Sequence, residues 1–297
     1  MTVDIASPIV MGILLGGLYA LIAMGLSMVF GVMRLINLAH GDFVILGSYI
    51  AYAITVVLAP LIDPSPLNPL LDPIFSLIIC IPVMFGIGFA VQKYLMGRAF
   101  AISGEAPLII AFGIALVIQN TNQIFWTPLS RGLTTTYSLA SFHLGPLQFP
   151  ISYLFDFIAA VIVMLALWAF LRFTYLGKAI TAASQNKRAA HLMGINTNLV
   201  YGFAFAIAMI SAAIAGVFLG MTFPFTPLSG TQFLIIAFGV VIIGGLGSMF
   251  GTLIGGLILG IAQTLAGAFL GPATQMLIVY VIVLVILAIR PQGLFGR

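Results

Sequence analysis

The chain has 297 residues, of which 62% are hydrophobic and 5% are charged, and its mean hydropathy is +1.26. Soluble domains contain roughly 25% charged residues, so this composition excludes an ordinary soluble domain and indicates a polytopic membrane protein. The net charge of +4 gives no indication of a nucleic-acid-binding surface. The single cysteine, Cys80, excludes a disulfide within the chain.

Apolar windows of about 20 residues predict an all-α polytopic protein with about eight or nine spanning helices in one transmembrane domain, residues 1–297. The first run follows Asp4 and no basic cluster, which is the wrong flank for a cleaved secretory signal, so we expect it to be retained. The run Phe233–Gly245 is short enough to be a broken or partial helix. The predicted spans are Ile9–Phe30, Phe43–Ala59, Ile74–Tyr94, Leu108–Phe125, Ile151–Leu171, Leu199–Phe223, Phe233–Gly245, Thr252–Leu270 and Gln275–Ile289.

The longest polar interruption is a loop of about residues 173–198. Together with Arg172 it contains four basic residues and no acidic ones, so the positive-inside tendency places it in the cytoplasm. Alternating outward from this loop puts nine of the ten basic residues on the cytoplasmic side and leaves only Arg131 outside. We therefore expect the amino terminus outside and the carboxyl terminus in the cytoplasm.

A short helix is predicted inside this loop. Ser184 or Asn186 can cap its start, Ala189 and Ala190 lie on one side, and Gly194 suits a left-handed end. Isolated helices below roughly 12 residues are marginally stable in water, so we expect this helix to pack against a partner. A solvated connector and a docking helix both remain open.

Two predicted outer segments are long. Residues 60–73 are dense in proline and should continue neither flanking helix. Residues 126–150 form either a lid of loops or a landing surface for an extracytoplasmic partner. The hydroxyls that such a surface would offer belong to Thr134, Thr135, Thr136 and Ser138.

Glycine pairs spaced four residues apart indicate close helix packing, because each pair lies on one helix face. The pairs are Gly12 and Gly16, Gly216 and Gly220, Gly251 and Gly255, Gly256 and Gly260, and Gly267 and Gly271. The glycine-rich stretch 244–251 is not a nucleotide-binding loop, because no lysine follows Lys187. It is better interpreted as a tight turn between two spans.

The most polar cluster near the amino-terminal spans is residues 37–42. Asn37, His40 and Asp42 are candidates for a substrate path, because ionisable groups at membrane depth are costly and often functional. The alternative is that Gly41 breaks a helix and Asp42 caps the next one.

A second candidate is the amide-rich end of the fourth predicted span. Gln119 shares a helix face with Asn122 and Gln123, and Asn120 lies beside them. Neutral amides suit a weakly interacting path for a polar solute, with Gln119, Asn120 and Gln123 as the candidates. They also hold helices together, and the sequence leaves both interpretations open.

Three histidines, one cysteine and six dispersed acids assemble no catalytic or metal-binding set, so we expect no enzyme activity, cofactor or metal on this chain. His191, in the polar loop, is expected to be solvated or part of a docking surface.

Three blocks of the sequence, residues 17–42, 189–196 and 244–260, resemble the permease subunits of branched-chain amino acid ABC importers, and more closely the first of the two paired permeases. The resemblance covers nearly the whole chain in order. It implies a transmembrane fold like that of vitamin B12-type importers, a second permease as heterodimer partner, two cytoplasmic ATPase subunits that carry ATP and Mg²⁺, and an extracytoplasmic solute-binding protein. It also implies a location in a bacterial or archaeal plasma membrane, surrounded by lipid.

The resemblance assigns the segment Ala189–Asn196 to the coupling helix that sits in a cleft of an ATPase subunit. The residues expected to make that contact are Gln185, Asn186, Lys187, Arg188, Ala189, Ala190, Met193 and Gly194. Asp42 stands where the family often has Glu, and the acidic residue that usually precedes the Ala-Ala pair is absent, so a salt bridge there is in doubt. A stand-alone channel or secondary transporter is the alternative, and related importers carry urea, short amides or aromatic acids.

Overall fold

The computed structural model describes residues 5–62, 72–135, 140–144, 147–290 and 292–295. Within these ranges eight helices are long and apolar enough to cross a membrane, and a ninth apolar helix, Gly230–Gly244, is shorter. This confirms the predicted polytopic helical protein and its short seventh segment.

The α-helices are numbered in chain order. They are α1 (Ala6–Met33), α2 (His40–Tyr52), α3 (Ala59–Ile62), α4 (Pro73–Val91), α5 (Gly97–Ile102), α6 (Ala106–Trp126), α7 (Ile151–Phe173), α8 (Tyr175–Gln185), α9 (Lys187–Leu192), α10 (Thr197–Thr222), α11 (Gly230–Gly244), α12 (Met249–Leu270) and α13 (Gln275–Ile289). Two π-helical segments, Ala53–Leu58 and Gln92–Met96, join α2 to α3 and α4 to α5, and a 3-10 turn, Pro272–Thr274, precedes α13.

The bundle has two ends, which we name by their landmarks. The loop end carries α8 and α9. The hairpin end carries two antiparallel strands, β1 (Ser141–Leu144) and β2 (Leu147–Pro150), which the all-α prediction did not include. Phe142 pairs with Phe149 across them, with ring centroids 5.9 Å apart, so an aromatic cross-strand contact stabilises this short hairpin.

The prediction that proline ends both helices flanking residues 60–73 is wrong on one side. The chain stays helical through Pro60 to Ile62, because Pro60 is the second residue of α3 and a missing backbone donor is tolerated in the first turn of a helix. On the other side α4 starts at Pro73, with Asp72 accepting a hydrogen bond from Ile74 N at 2.9 Å. Residues 63–71 lie outside the described residues.

The outer segment after α6 is tied to the bundle by Arg131. Its backbone forms a bridge with Phe225, and its guanidinium donates to the Tyr52 hydroxyl at 2.9 Å and to the Trp126 carbonyl at 3.2 Å. Thr136 and Ser138, two of the hydroxyl residues predicted to form a landing surface, lie outside the described residues. The anchored part of this segment is therefore the stretch around Arg131.

The helices α1 and α10 form the centre of the bundle. In each, 78% of the most apolar window is buried, against 22% for α4, 17% for α6 and 6% for the last span. The peripheral helices thus present large apolar faces to lipid or to another chain.

Glycine explains how closely α1 and α12 approach. A Cβ atom added at Gly16 would lie 2.6 Å from the Gly256 carbonyl oxygen, and one added at Gly256 would lie 2.6 Å from that of Gly16. Gly12 and Gly260 contact the facing backbone in the same way. Two of the predicted pairs therefore pack against each other, with backbones touching where any side chain would separate them.

The other glycine pairs differ. Gly216 packs on the backbone of α2, and Gly251 and Gly255 pack on that of α11. Gly267 meets the side chain of Gln275, and Gly271 ends α12 at φ +94° with no atom of the described chain within 4 Å of its Cβ position. That last pair therefore does not bring two helix backbones into contact, because Gly267 meets only a side chain at the start of α13.

The turn predicted at residues 244–251 is confirmed. Gly245 and Gly247 adopt φ +96° and +84°, and Ser248 caps α12 by accepting a hydrogen bond from Gly251 N at 3.0 Å. Leu294 N then donates to the Ile243 carbonyl at 2.9 Å, which fixes the carboxyl-terminal segment beside this turn.

Candidate functional site

The second helix begins inside the bundle rather than at its end. His40 Nε2 lies 2.8 Å from the Ile22 carbonyl oxygen, and Ile22 is eleven residues before the end of α1 at Met33. At 1.5 Å per residue this is about 16 Å, roughly half of a 30 Å hydrocarbon core. Residues 34–39 therefore turn back into the membrane before α2 starts.

The short helix α11 starts at the same depth. A Cβ atom at Gly230 would lie 2.9 Å from Asp42 Cα, and one at Gly41 would lie 2.8 Å from Leu234 N. The two interrupted helices thus bring their amino-terminal turns together. We call this contact of His40, Gly41, Asp42 and Gly230 the junction.

The prediction that Asp42 caps α2 is wrong. The capping position is Ala39, and Asp42 lies in the first turn. Asn37 Oδ1 accepts from Ala39 N at 3.1 Å, so Asn37 stabilises the turn that precedes the helix. Gly41 does not break a helix either, because it lies within α2 and its lack of a side chain lets α11 approach.

Asp42 and Gln119, both predicted candidates, lie together at the junction although they are 77 residues apart in sequence. Gln119 Nε2 donates to Asp42 Oδ1 at 2.9 Å, and Asp42 is 2% exposed. Asp42 also lies near the positive amino-terminal ends of α2 and α11, which favour a negative charge. The carboxylate is therefore held by one amide and two helix ends in the middle of the bundle.

The remaining predicted amides lie in different places. Asn120 is exposed on α6 and donates to the carbonyl of Leu116 in its own helix at 2.7 Å, and Gln123 is half-buried nearer the hairpin end. Asn122 is buried, and its Nδ2 has no hydrogen-bond partner among the described residues. The structure therefore brings Gln119 to Asp42 and leaves Asn120 on the outer face of the bundle.

Sequence reasoning missed two buried polar pairs. The Thr222 hydroxyl donates to Asp156 Oδ2 at 2.7 Å, and the Tyr19 hydroxyl donates to Gln263 Oε1 at 2.8 Å. The signal for Asp156 was present, because an acid six residues into an apolar span is costly. Tyr19 and Gln263 had no such signal, since neither is ionised at neutral pH and they are 244 residues apart in sequence.

The polar loop contains two helices. Thr174 caps α8 by accepting from Gly177 N at 2.9 Å, and Asn186 caps α9 by accepting from Ala189 N at 3.0 Å. Gly194 follows α9 at φ +82°, and Asn196 caps α10 by accepting from Leu199 N at 3.2 Å. The predicted short helix, its cap at Asn186 and its left-handed end are confirmed, and Ser184 is not the cap.

The residues expected to contact a partner differ in exposure. Gln185, Asn186, Lys187, Arg188, Ala189, Met193 and Gly194 are exposed. Ala190 is buried against its own chain, so it offers no surface to a partner. Leu192 and Met193 are 86% and 82% exposed, which places two large apolar side chains at the tip of the loop. A surface of this kind is typical of an interaction site.

The sequence matches a known family of membrane proteins over almost its whole length. Residues 9–287 match the profile of the branched-chain amino acid transport system permease component. The chain belongs to this family. It is 32% identical to the permease BraD of Pseudomonas aeruginosa, over 97% of this chain and 95% of BraD. It is 31% identical to LivH of Escherichia coli K12, over 96% of this chain and 94% of LivH.

Two further likenesses are more distant. A probable LivH of Methanocaldococcus jannaschii is 26% identical over 96% of this chain and 90% of its own length. A solved structure, PsaBC from Streptococcus pneumoniae in complex with Fab, superposes with a TM-score of 0.48 at 12% identity, covering 95% of this chain and 91% of that one. The second likeness is too low to assign a fold.

Proposed function

We propose that this permease takes up branched-chain or related amino acids as part of an ATP-driven importer. The relatives named above are branched-chain amino acid permeases, and family membership supports the same solute class here. In this proposal a second permease forms a heterodimer with this chain, two cytoplasmic ATPase subunits bind ATP and Mg²⁺, and an extracytoplasmic protein delivers the solute. The bundle is then similar to the vitamin B12-type importers.

The observation on which the proposal rests is the capped helix α9 with its exposed apolar tip. A helix of six residues gains little stability from its own hydrogen bonds, yet this one is fixed at both ends, by Asn186 and by Gly194. Leu192 and Met193 project from it. Such an element suits the cleft of an ATPase subunit, whose movement would rock the bundle between outward- and inward-facing states.

The solute path in this proposal follows the face of α6 that leads to the junction. Asn120 and Gln123 place amides on the outer half of a helix that is mostly exposed, and polar groups facing lipid are costly. A facing permease would remove that cost. Asp42 and Gln119 then lie where the solute path reaches the middle of the membrane. Breaking and re-forming of their hydrogen bond opens and closes the path in this proposal.

One observation favours a second candidate, a secondary transporter. The helices α2 and α11 both start near mid-membrane, and paired interrupted helices are common in such proteins. Uptake in ATP-free liposomes distinguishes the two functions. Uptake by the chain alone, driven by an ion gradient, would support the secondary transporter.

The docking helix is tested by the double substitution Leu192→Glu and Met193→Glu. Losing two interface anchors should reduce co-purification of the ATPase subunits by about ten-fold or more and abolish ATP-driven uptake, at normal membrane yield. The matched control is Leu129→Glu, which changes a leucine that is 64% exposed before the hairpin, at the other end of the bundle. Equal ATPase recovery in the double variant and the control would reject the docking assignment.

A further inference from the structure

A cavity of about 530 Å³ opens at the loop end, between the α4–α5 connection and the start of α10. Three basic residues from three different segments line it: Lys93, Arg98 and Lys187. No acidic residue is among the described residues that line it. The cavity, which we call the basic cavity, therefore concentrates positive charge where the chain leaves the membrane.

Lys187 turns toward this cavity although it is the first residue of α9. Its Nζ lies 5.5 Å from the ring centroid of Tyr201, on α10. Lys187 is exposed, and the aromatic face attracts its ammonium group and favours this position. The lysine thus faces the membrane side of the loop, away from the exposed tip at Leu192 and Met193.

Gln92 adds a second polar group. It lines the cavity, is 2% exposed, and its Oε1 has no hydrogen-bond partner among the described residues. A buried amide oxygen without a partner is unfavourable, so a ligand that donates a hydrogen bond to it would be favoured.

An apolar groove lies beside the inner wall of the cavity. Phe89 lines the cavity, and its ring centroid lies 5.3 Å from that of Phe203. Phe203 lines a second, almost wholly apolar groove between α4, α7 and α10, with Val163 and Ile214 farther along it. A cationic pocket beside an apolar groove, with Phe89 and Phe203 in contact between them, matches a headgroup and an acyl chain.

We propose that the basic cavity binds an anionic phospholipid of the phosphatidylglycerol type. Lys93, Arg98 and Lys187 hold its phosphate, a headgroup hydroxyl donates to Gln92, and an acyl chain lies along the groove past Phe203. Lys187 is the first residue of α9. The bound lipid therefore bridges the segment between α4 and α5 and the docking helix. The lipid site requires only that the chain spans a membrane. A result that rejects the importer function would therefore not reject the lipid site, and the reverse also holds.

The test is native mass spectrometry of the transporter, purified with its co-purifying subunits in mild detergent and titrated with phosphatidylglycerol or with phosphatidylcholine of the same chains. We expect the first to bind more tightly. Each cation near a membrane surface contributes about five-fold in affinity, so the triple variant Lys93→Gln, Arg98→Gln, Lys187→Gln should bind roughly 100-fold more weakly.

The control variant is Arg172→Gln, Lys178→Gln, Arg290→Gln, which removes the same charge from outside the cavity and should retain wild-type lipid affinity. If the first triple variant fails to fold, Lys187→Gln alone should lose about five-fold while Lys187→Arg retains binding.

Four results would overturn the proposal: equal loss in both triple variants, equal affinity for the two lipids, displacement of the lipid by inorganic phosphate at equal concentration, or loss of an ATPase subunit from the cavity variant with lipid binding unchanged. The third would assign the cavity to a free anion, and the fourth to an acidic protein surface.

Discussion

At the scale of single residues, glycine sets how closely the central helices approach. The first prediction concerns Gly256→Ala, which places a Cβ atom 2.6 Å from the Gly16 carbonyl oxygen, so α1 and α12 must move apart. Overpacking costs about 1 to 3 kcal/mol, and the better helix propensity of alanine returns only about 1 kcal/mol. We expect a lower thermal midpoint in detergent and less monodisperse protein.

The control for this substitution is Gly86→Ala. Among the described residues no atom lies within 4 Å of a Cβ at Gly86, so only the gain in helix propensity remains. Its thermal midpoint should equal or exceed that of the wild type. If both variants behave alike, backbone contact does not decide the α1–α12 approach.

The Asp42–Gln119 hydrogen bond gives the second prediction. Asp42→Ala and Gln119→Leu should each lower the thermal midpoint, because each leaves a polar partner unsatisfied at a cost of about 1 to 3 kcal/mol. The double variant should be little worse than the more damaging single variant. Asn120→Leu is the control, and its effect should add to that of Asp42→Ala, since Asn120 bonds within its own helix. If the effects of Asp42→Ala and Gln119→Leu simply add in the double variant, the two side chains are not coupled.

At the scale of elements, α9 depends on its cap. Asn186→Ala should weaken the helix by about 1 kcal/mol, whereas Asn186→Asp should preserve it. Local opening exposes the bonds after Lys187 and Arg188, so limited trypsin cleavage there should become about five-fold faster in the alanine variant. Gln185→Ala, one residue before the cap, should cleave at the wild-type rate. Unchanged cleavage of Asn186→Ala would show that contacts with α8 and α10, and not the cap, hold α9.

Local sequence was sufficient for this element. Asn186, Gly194 and Asn196 act through neighbours three or four residues away, and such contacts are fixed by spacing alone. The burial of Ala190 was not predictable in the same way. It depends on which side of α9 faces the rest of the chain, and the small side chains of Ala189 and Ala190 do not distinguish the two sides.

At the scale of the whole molecule, the basic residues separate by end. The basic residues that were predicted to be cytoplasmic, where the structure describes them, lie near helix ends at the loop end of the bundle. Arg131 lies at the hairpin end, where its backbone pairs with Phe225. We propose that the loop end faces the cytoplasm. In a Cys80→Ala background, Leu129→Cys should react with a membrane-impermeant maleimide in intact cells, and Tyr175→Cys, at an 87% exposed position of the loop end, only in inside-out vesicles. The opposite labelling would reverse the proposed orientation.

The sequence by itself determined the membrane class, the positions of the spans, the distribution of basic residues between the two ends and the capped loop helix. Each of these depends on apolar length, on charge or on contacts between near neighbours in the chain. The glycine spacing also indicated close packing, although it could not pair Gly16 with Gly256, since many faces carry small residues.

Only the tertiary structure decided that α2 and α11 both begin inside the bundle. Hydropathy records how apolar a segment is, and it does not record the depth at which the chain turns back. The contact of His40 with Ile22, the pairing of Asp42 with Gln119 and the return of Lys187 toward Tyr201 join residues distant in sequence. Such contacts arise from the way whole helices pack, so no local pattern specifies them.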